Sequence, residues 1–142
     1  SGLGVSTGAS ACRAALERYG VRRIAVLSPY QPIADRQVTG YFEDAGFKVV
    51  RFTGLRCPTA TSIAEVTEAR LLPLLRDELD GPDVEAIVQV GTNLSMVRLA
   101  DEAERWLGKP VLAINAVTLW HALRTNDITD QLRGCGSLLR EH

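Results

Sequence analysis

The residues best suited to chemistry follow a mostly apolar run. Ala86-Ile-Val-Gln-Val90 gives way to Gly91, Thr92, Asn93 and Ser95, and a helical pattern at Val97, Ala100, Ala103 and Leu107 begins immediately after. Small hydroxyl and amide side chains at a strand-to-helix turn leave backbone N–H groups free at the positive end of a helix dipole, the place where a carboxylate or phosphate is held. The same side chains are also those that simply cap a helix. Tyr30 stands just past a second β-like run, Arg23 to Ser28, and Asn115 just past a third, Val111 to Ile114. Together they offer a phenol hydroxyl, backbone N–H donors, a Thr hydroxyl and an Asn amide, a set with few charges. Such a set suits a small carboxylate held by hydrogen bonds. Neither Gly-x-Gly-x-x-Gly nor a Walker sequence is present, which argues against a nucleotide.

The elements that must position these residues alternate along the chain. Ser6 and Thr7 are suited to cap a helix carrying Cys12, Ala15, Leu16 and Tyr19 at helical spacing, with Gly20 as its stop. The strand Arg23 to Ser28 is followed by a helix with Ala34, Val38, Tyr41, Phe42 and Ala45 on one side. A second strand covers Phe47 to Phe52. Thr53 to Val66 is a longer connection with Gly54, Pro58 and several hydroxyl residues, a loop with room for function. Thr67 caps a helix striped with Leu71, Leu72, Leu75 and Leu79, in which Pro73 is tolerated with distortion. The Ala86 to Val90 strand and its helix come next, then the short strand Val111 to Ile114 and a helix over Ala116 to Arg124.

Strands and helices in this alternation predict a single α/β domain over 1–142, a doubly wound parallel sheet of four strands in the order 2-1-3-4. In that order strands one and three meet where the connections diverge to opposite faces, and ligands bind outside the carboxyl ends there. Tyr30 and the Gly91–Asn93 turn are expected at that point, with Asn115 and Gly54 on the same rim.

A chain of 142 residues with 46% hydrophobic and 23% charged residues can bury a core of its own. A formal net charge of −1 without a basic cluster argues against nucleic acid, and no apolar run is long enough to span a bilayer. Cys12, Cys57 and Cys135 are odd in number and widely spaced, and His is scarce, so neither a disulfide framework nor a metal site is expected. A reducing cytoplasm fits this cysteine usage. The chain opens Ser1-Gly2 and its only Met is Met96, which reads as a processed, tagged or truncated product. Leu3 to Ala15 has no signal-peptide pattern.

Several motifs in order carry a resemblance. Arg22-Arg-Ile-Ala-Val-Leu-Ser-Pro-Tyr30, Gly46-Phe47, Gly54-Leu55, Val90-Gly-Thr-Asn-Leu94, Glu104-x-x-Leu-Gly-Lys-Pro-Val111, Leu119-Trp-His-Ala-Leu-Arg124 and Gly136-Ser-Leu-Leu139 cover nearly the whole chain. The ordered set resembles the second half of the arylmalonate decarboxylase and maleate cis-trans isomerase group in the aspartate/glutamate racemase superfamily. The Gly-Thr-Asn-Leu-Ser-Met and Leu-Trp-His-Ala-Leu-Arg wording is also similar to the related ectoine-utilisation proteins. The resemblance implies two pseudo-symmetric α/β halves with the site between them, no cofactor and no metal. It implies small carboxylic or dicarboxylic acid substrates and planar enediolate-like or covalent Cys intermediates. Tyr30 and Gly91, Thr92 and Asn93 are then the oxyanion hole for the substrate carboxylate. This chain would be the C-terminal half, needing an N-terminal half, with the tail 125–142 packing toward it. Homo-oligomerisation stays open.

Two departures qualify the carry-over. Gly91 stands where family members carry a catalytic Cys, and Gly can neither donate a proton nor act as a base. Asp35 stands at the substrate-binding position where maleate isomerases usually have Asn, replacing an N–H₂ donor by a negative charge. The reading is therefore a cofactor-independent decarboxylase whose thiol lies in the other half. The alternatives are a maleate isomerase-like cis-trans isomerase or racemase, and a non-catalytic carboxylate-binding module. Whether a thiol would be tolerated at 91 turns on the sign of its φ. Cys57 is a weak substitute thiol with nothing basic nearby that would obviously lower its pKa, Cys12 and Cys135 read as packing residues, His121 as a structural or interface histidine, Trp106 as core or interface, and Arg56 as a solvated loop charge.

Overall fold

The computed structural model describes residues 8–142. Ser6 and Thr7, expected as helix caps, lie outside them. The helical spacing of Cys12, Ala15 and Leu16 produces α1 (Gly8–Tyr19), and all three side chains are buried. β1 (Arg23–Ser28) has the bounds that its apolar run predicts and is buried from Ile24 onward. It pairs in parallel with β2 (Lys48–Gly54) on one side and β3 (Ala86–Gln89) on the other, and β4 (Val111–Ala113) adds beyond β3. The expected order β2-β1-β3-β4 is the order observed.

Alternation of side chains then divides the core into two layers. Ile24, Val26, Ala86, Val88 and Leu112 join residues of α1, α2 (Pro32–Asp44) and α6 (Ile114–Thr125). Ala25, Leu27, Ile87, Val111 and Ala113 join Leu71 and Leu75 on one side and Leu99 and Ala103 of α5 (Val97–Leu107) on the other. Because α2 and α5 cover opposite faces, the switch point falls between β1 and β3.

Element boundaries depart from expectation where pairing or local chemistry decides them. β2 runs two residues further, because Thr53 and Gly54 pair with Leu27 and Ser28. The connection after it contains a short helix, α3 (Ala60–Ala64), closed by a reciprocal capping box between Thr59 and Ser62. Thr67 caps α4 (Glu68–Pro73) by accepting from Arg70 N–H, as its position predicts. Pro73 cannot supply the next N–H, and the helix widens into a π-helical turn over Leu74–Leu79. Thr92, Asn93 and Ser95 do not cap α5. Its N-cap is Met96, with no side-chain cap bond. α6 begins at Ile114, directly after β4, so Asn115 lies in a first helical turn rather than in a loop.

Within the tail expected to pack toward a further half, Ser137–Glu141 forms α7, and Leu138 and Leu139 enter this domain's own core. Two acids of α5 hold the turn that leads into it. Asp101 Oδ1 accepts from Gly136 N–H at 2.8 Å, and Glu104 accepts from Ser137 N–H at 2.7 Å, Ser137 Oγ at 3.0 Å and Val111 N–H at 3.2 Å. The expected motif around Glu104 is thus a tie between α5, β4 and the C-terminal turn. Burial pushes the Glu104 carboxyl above the usual carboxylate range, and these donors pull it back only in part.

A carboxyl raised in the folded state binds more protons there than in the unfolded chain, so its contribution to stability falls as pH rises through that interval and is level above it. Glu104→Ala leaves two backbone N–H groups without acceptors, at a cost of about 1–3 kcal/mol. It also removes this component of the pH slope. Urea unfolding of both proteins across the carboxylate range measures both effects, and identical slopes would show that Glu104 titrates alike folded and unfolded.

Candidate functional site

The site is built on the last rung between β1 and β3. Val90 N–H donates to Leu27 O at 2.9 Å, one residue past the end of β3, and the chain then turns at Gly91 with φ +94°. On the β1 side, the buried Ser28 accepts from Tyr30 N–H through its hydroxyl at 3.1 Å and from Leu55 N–H through its carbonyl at 2.7 Å. Cys57 N–H donates to Pro29 O at 2.9 Å. Pro29 is therefore fixed and buried while Tyr30, 38% exposed, stands at the rim. The two strand ends meet closely: a Cβ placed on Gly91 would lie 3.5 Å from the Tyr30 hydroxyl.

Beyond Gly91, Leu94 N–H donates back to Gly91 O at 3.2 Å and closes the turn. Thr92 and Asn93 are exposed at its tip, and among the described residues their backbone N–H groups take no acceptor. Beside the turn lies a cavity of about 310 Å³, largely apolar, lined by Tyr30, Gly91, Val90, Ile114, Cys12 and Tyr41 among others. Tyr30 and Gly91 thus line a space of the size of a small organic molecule, and the exposed Thr92–Asn93 tip continues from Gly91 at its edge.

Asn115 reaches the same rim, but its amide is engaged there: Nδ2 donates to Thr92 O at 3.0 Å. Gly54 ends β2 on that rim with the Arg56 guanidinium packed over it. Asp35 does not line the cavity. Its Oδ2 accepts from Arg56 Nη1 at 2.7 Å, and among the described residues its buried Oδ1 has no partner. The charge that Asp35 brings is thereby matched by Arg56, whose backbone sits at φ +59° with its carbonyl bonded by Gln31 Nε2 at 3.0 Å. Arg56, read from sequence as a solvated charge, is thus an ion-paired residue. Gln89 is the contributor that sequence reading passed over. It is fully buried, with Nε2 2.8 Å from both Val90 O and Gly91 O, and Oε1 accepting from Ile114 N–H at 3.3 Å. Its only sequence signal is one amide inside an apolar strand.

The thiols behave as packing residues. Cys57 is buried within the loop after β2, and Cys12 lines the cavity with its thiol pushed up to about 12 by burial. His121 stacks against Trp120 with ring centroids 6.0 Å apart. Among the described residues, no group of three His, Cys, Asp or Glu side chains is placed to hold a metal ion, and no helix is long and apolar enough to cross a membrane.

Two outcomes follow. Gly91→Cys meets a left-handed backbone and the Pro29 ring, whose Cγ would be 2.5 Å from the new Cβ. It is expected to cost about 1 kcal/mol or more in thermal unfolding. A variant as stable as the parent would show that the turn relaxes to negative φ without penalty. Cys12, whose thiolate is disfavoured in the folded state, is expected to resist thiol reagents at about pH 8 until the chain is unfolded. Its stabilising contribution is full below the ordinary thiol range and falls as pH rises toward its folded value. Rapid labelling of native Cys12 would contradict the buried placement.

Comparison with known proteins accords with this fold. The family model described as arylmalonate decarboxylase matches residues 1–139. A maleate isomerase of Pseudomonas putida is 27% identical over 136 residues, which is 95% of this chain and 54% of that protein. One from Nocardia farcinica is 28% identical over 139 residues, 96% of this chain and 55% of that protein. The chain spans about half the length of the curated relatives it matches. The structure of a Nocardia farcinica maleate cis-trans isomerase with a covalently bound succinylcysteine intermediate is similar with a TM-score of 0.89 and 26% identity, over 95% of this chain and 55% of that one. With a family model that spans all but the last three residues, and a switch-point turn carrying the motifs that first suggested it, the chain belongs to the arylmalonate decarboxylase family.

Proposed function

We propose that this domain is the oxyanion-holding half of a cofactor-independent decarboxylase that acts on a small carboxylic or dicarboxylic acid. The observation that carries this reading is the placement of the Tyr30 hydroxyl over Gly91, the residue that opens a turn whose Thr92 and Asn93 N–H groups have no acceptor among the described residues. In such a reaction the C–C bond to one carboxyl breaks, CO₂ leaves, and the electron pair passes onto the remaining carboxyl as an enediolate. Hydrogen-bond donors fixed around that carboxyl's oxygens bind the enediolate more strongly than the substrate, and that difference lowers the barrier. The nearby cation is already matched, since Arg56 is bound to Asp35. The carboxylate would therefore be held by hydrogen bonds alone.

The proton that completes the product comes from elsewhere in this reading. Gly91 has no side chain, and one added there would meet the Pro29 ring on a left-handed backbone. A thiol in a further half of a longer protein would supply it, which favours one-thiol chemistry over two-base racemisation. The exposed Tyr30 and Ile33, the latter 79% accessible, mark the rim against which that half would close. A second reading, cis-trans isomerisation through a Cys adduct, is favoured by the 27% and 28% identity to maleate isomerases. A third, a carboxylate-binding module without turnover, is favoured by the same Gly91 geometry.

The test is to assay the longer protein with an arylmalonate and with maleate in D₂O. It follows CO₂ release, isomerisation and deuterium incorporation. CO₂ release supports the decarboxylase, fumarate from maleate supports the isomerase, and neither product with either acid removes both. Tyr30→Phe in that protein is expected to lower turnover by about 100-fold or more, with little change in melting temperature because the side chain is partly exposed. Loss of activity explained by unfolding would remove Tyr30 from the site. The 142-residue chain alone is expected to show negligible turnover, and measurable conversion of either acid by it would overturn the need for a second half.

A further inference from the structure

The turn after β3 has an unusual backbone arrangement. In an extended strand successive carbonyls point to opposite sides, yet those of Val90 and Gly91 converge on one group, the Gln89 side-chain amide, at 2.8 Å each. The +94° φ of Gly91 brings them to the same side. The next carbonyl, that of Thr92, is taken by Asn115 Nδ2 at 3.0 Å. Three consecutive carbonyls are thus held by two side-chain amides. The Gln89 amide is itself oriented, because its Oε1 accepts from Ile114 N–H at 3.3 Å and leaves Nε2 for the turn.

Every peptide bond among the described residues is trans, so each carbonyl points opposite to the N–H of the same peptide plane. The planes whose carbonyls are held at 90, 91 and 92 carry the N–H groups of Gly91, Thr92 and Asn93. Those are the donors assigned above to the oxyanion hole. We infer that Gln89 and Asn115 are positioning residues that clamp these three peptide planes from behind, so that the N–H groups are aimed at a carboxylate before it arrives.

The division of labour is specific: Gln89 sets the N–H of Gly91 and, together with Leu94 N–H on the same Gly91 carbonyl, that of Thr92, while Asn115 sets that of Asn93. Both amides are held at the junction of β4 and α6, Asn115 as a residue of its first turn and Gln89 through Ile114 N–H. An ionised carboxylate in place of either amide cannot donate, and its charge repels the carbonyl it faces. The associated peptide plane would then turn. The orientation is a property of the backbone alone. Only its use for a carboxylate rests on the function proposed above.

The experiment measures amide N–H residual dipolar couplings of the isotope-labelled full chain, as the parent, Asn115→Asp and Gln89→Glu. In the parent the couplings of Gly91, Thr92 and Asn93 should fit the orientations described. Asn115→Asp is expected to shift the coupling of Asn93 while leaving those of Gly91 and Thr92 and the rest of the sheet in place; Gln89→Glu is expected to shift Gly91 and Thr92. Gln89 is fully buried and its variant is the one at risk of unfolding, whereas Asn115 is exposed, so Asn115→Asp alone decides. An unchanged Asn93 coupling in that variant overturns the clamp, and so does a change spread evenly over the domain. Titration with maleate and with an arylmalonate forms a separate arm. Shifts of the three N–H groups in the parent, weakened about tenfold in Asn115→Asp, support the carboxylate role. If the couplings respond as expected but neither acid moves these N–H groups, the clamp stands and the carboxylate reading falls.

Discussion

The hydrogen bond from Val90 N–H to Leu27 O closes the ladder between β1 and β3, and the candidate site is laid out from it. Parallel strands end at a common rim only if their register brings the ends level. Here Leu27 pairs with Gln89, so Pro29-Tyr30 and Gly91-Thr92 leave the sheet side by side. The helices that follow the two strands then diverge to opposite faces, which keeps the rim between them uncovered by either. A one-residue slip between β1 and β3 would turn the side chains of one strand to the other face and separate Tyr30 from Gly91.

At that rim, backbone geometry and packing reinforce each other. The Pro29 ring fills the space where a side chain at 91 would stand, and Gly91 takes a conformation that side chains disfavour, so each residue suits the other. Buried polar groups serve the same end. Ser28, Gln89 and Asp101 are the buried polar residues among those described, and each is bonded to backbone at an element's end: Tyr30 N–H, the carbonyls of Val90 and Gly91, and Gly136 N–H. Burying a polar side chain is unfavourable unless it is bonded, and here the bonds go to peptide groups that leave the regular ladders and need partners. The interior polar residues thereby fix the turns, while the apolar ones fix the layers.

Charge is arranged with similar economy around the site. The Arg56–Asp35 pair bridges the loop after β2 to α2, next to the rim but outside the cavity that Tyr30 lines. The two charges offset one another, and the groups exposed at the tip of the turn, Thr92 and Asn93, carry dipoles rather than ions. Dipoles held in place need not reorganise as charge develops on a bound group.

The sequence by itself determined the layer order and the identity of the rim. Continuous apolar runs such as Ile24 to Leu27 read as strands buried on both faces, and their alternation with helices left few topologies for a parallel sheet. The turn after β3 was legible for the same reason, because Gly91, Thr92 and Asn93 interrupt such a run just before a helix. What tertiary structure alone decided was what each side chain at the rim bonds to. Asn115 reads as a free amide until α6 is seen to start at Ile114, which points it at Thr92 O. Thr92 and Asn93 read as caps until Met96 takes that place. Asp35 reads as facing the substrate until the left-handed turn at Arg56 brings a guanidinium to it. Gln89 and the sign of φ at Gly91 were beyond reach for one physical reason: hydrogen bonds between residues distant in sequence, and a backbone angle fixed by a neighbouring strand's proline, leave no period or spacing in the chain that forms them.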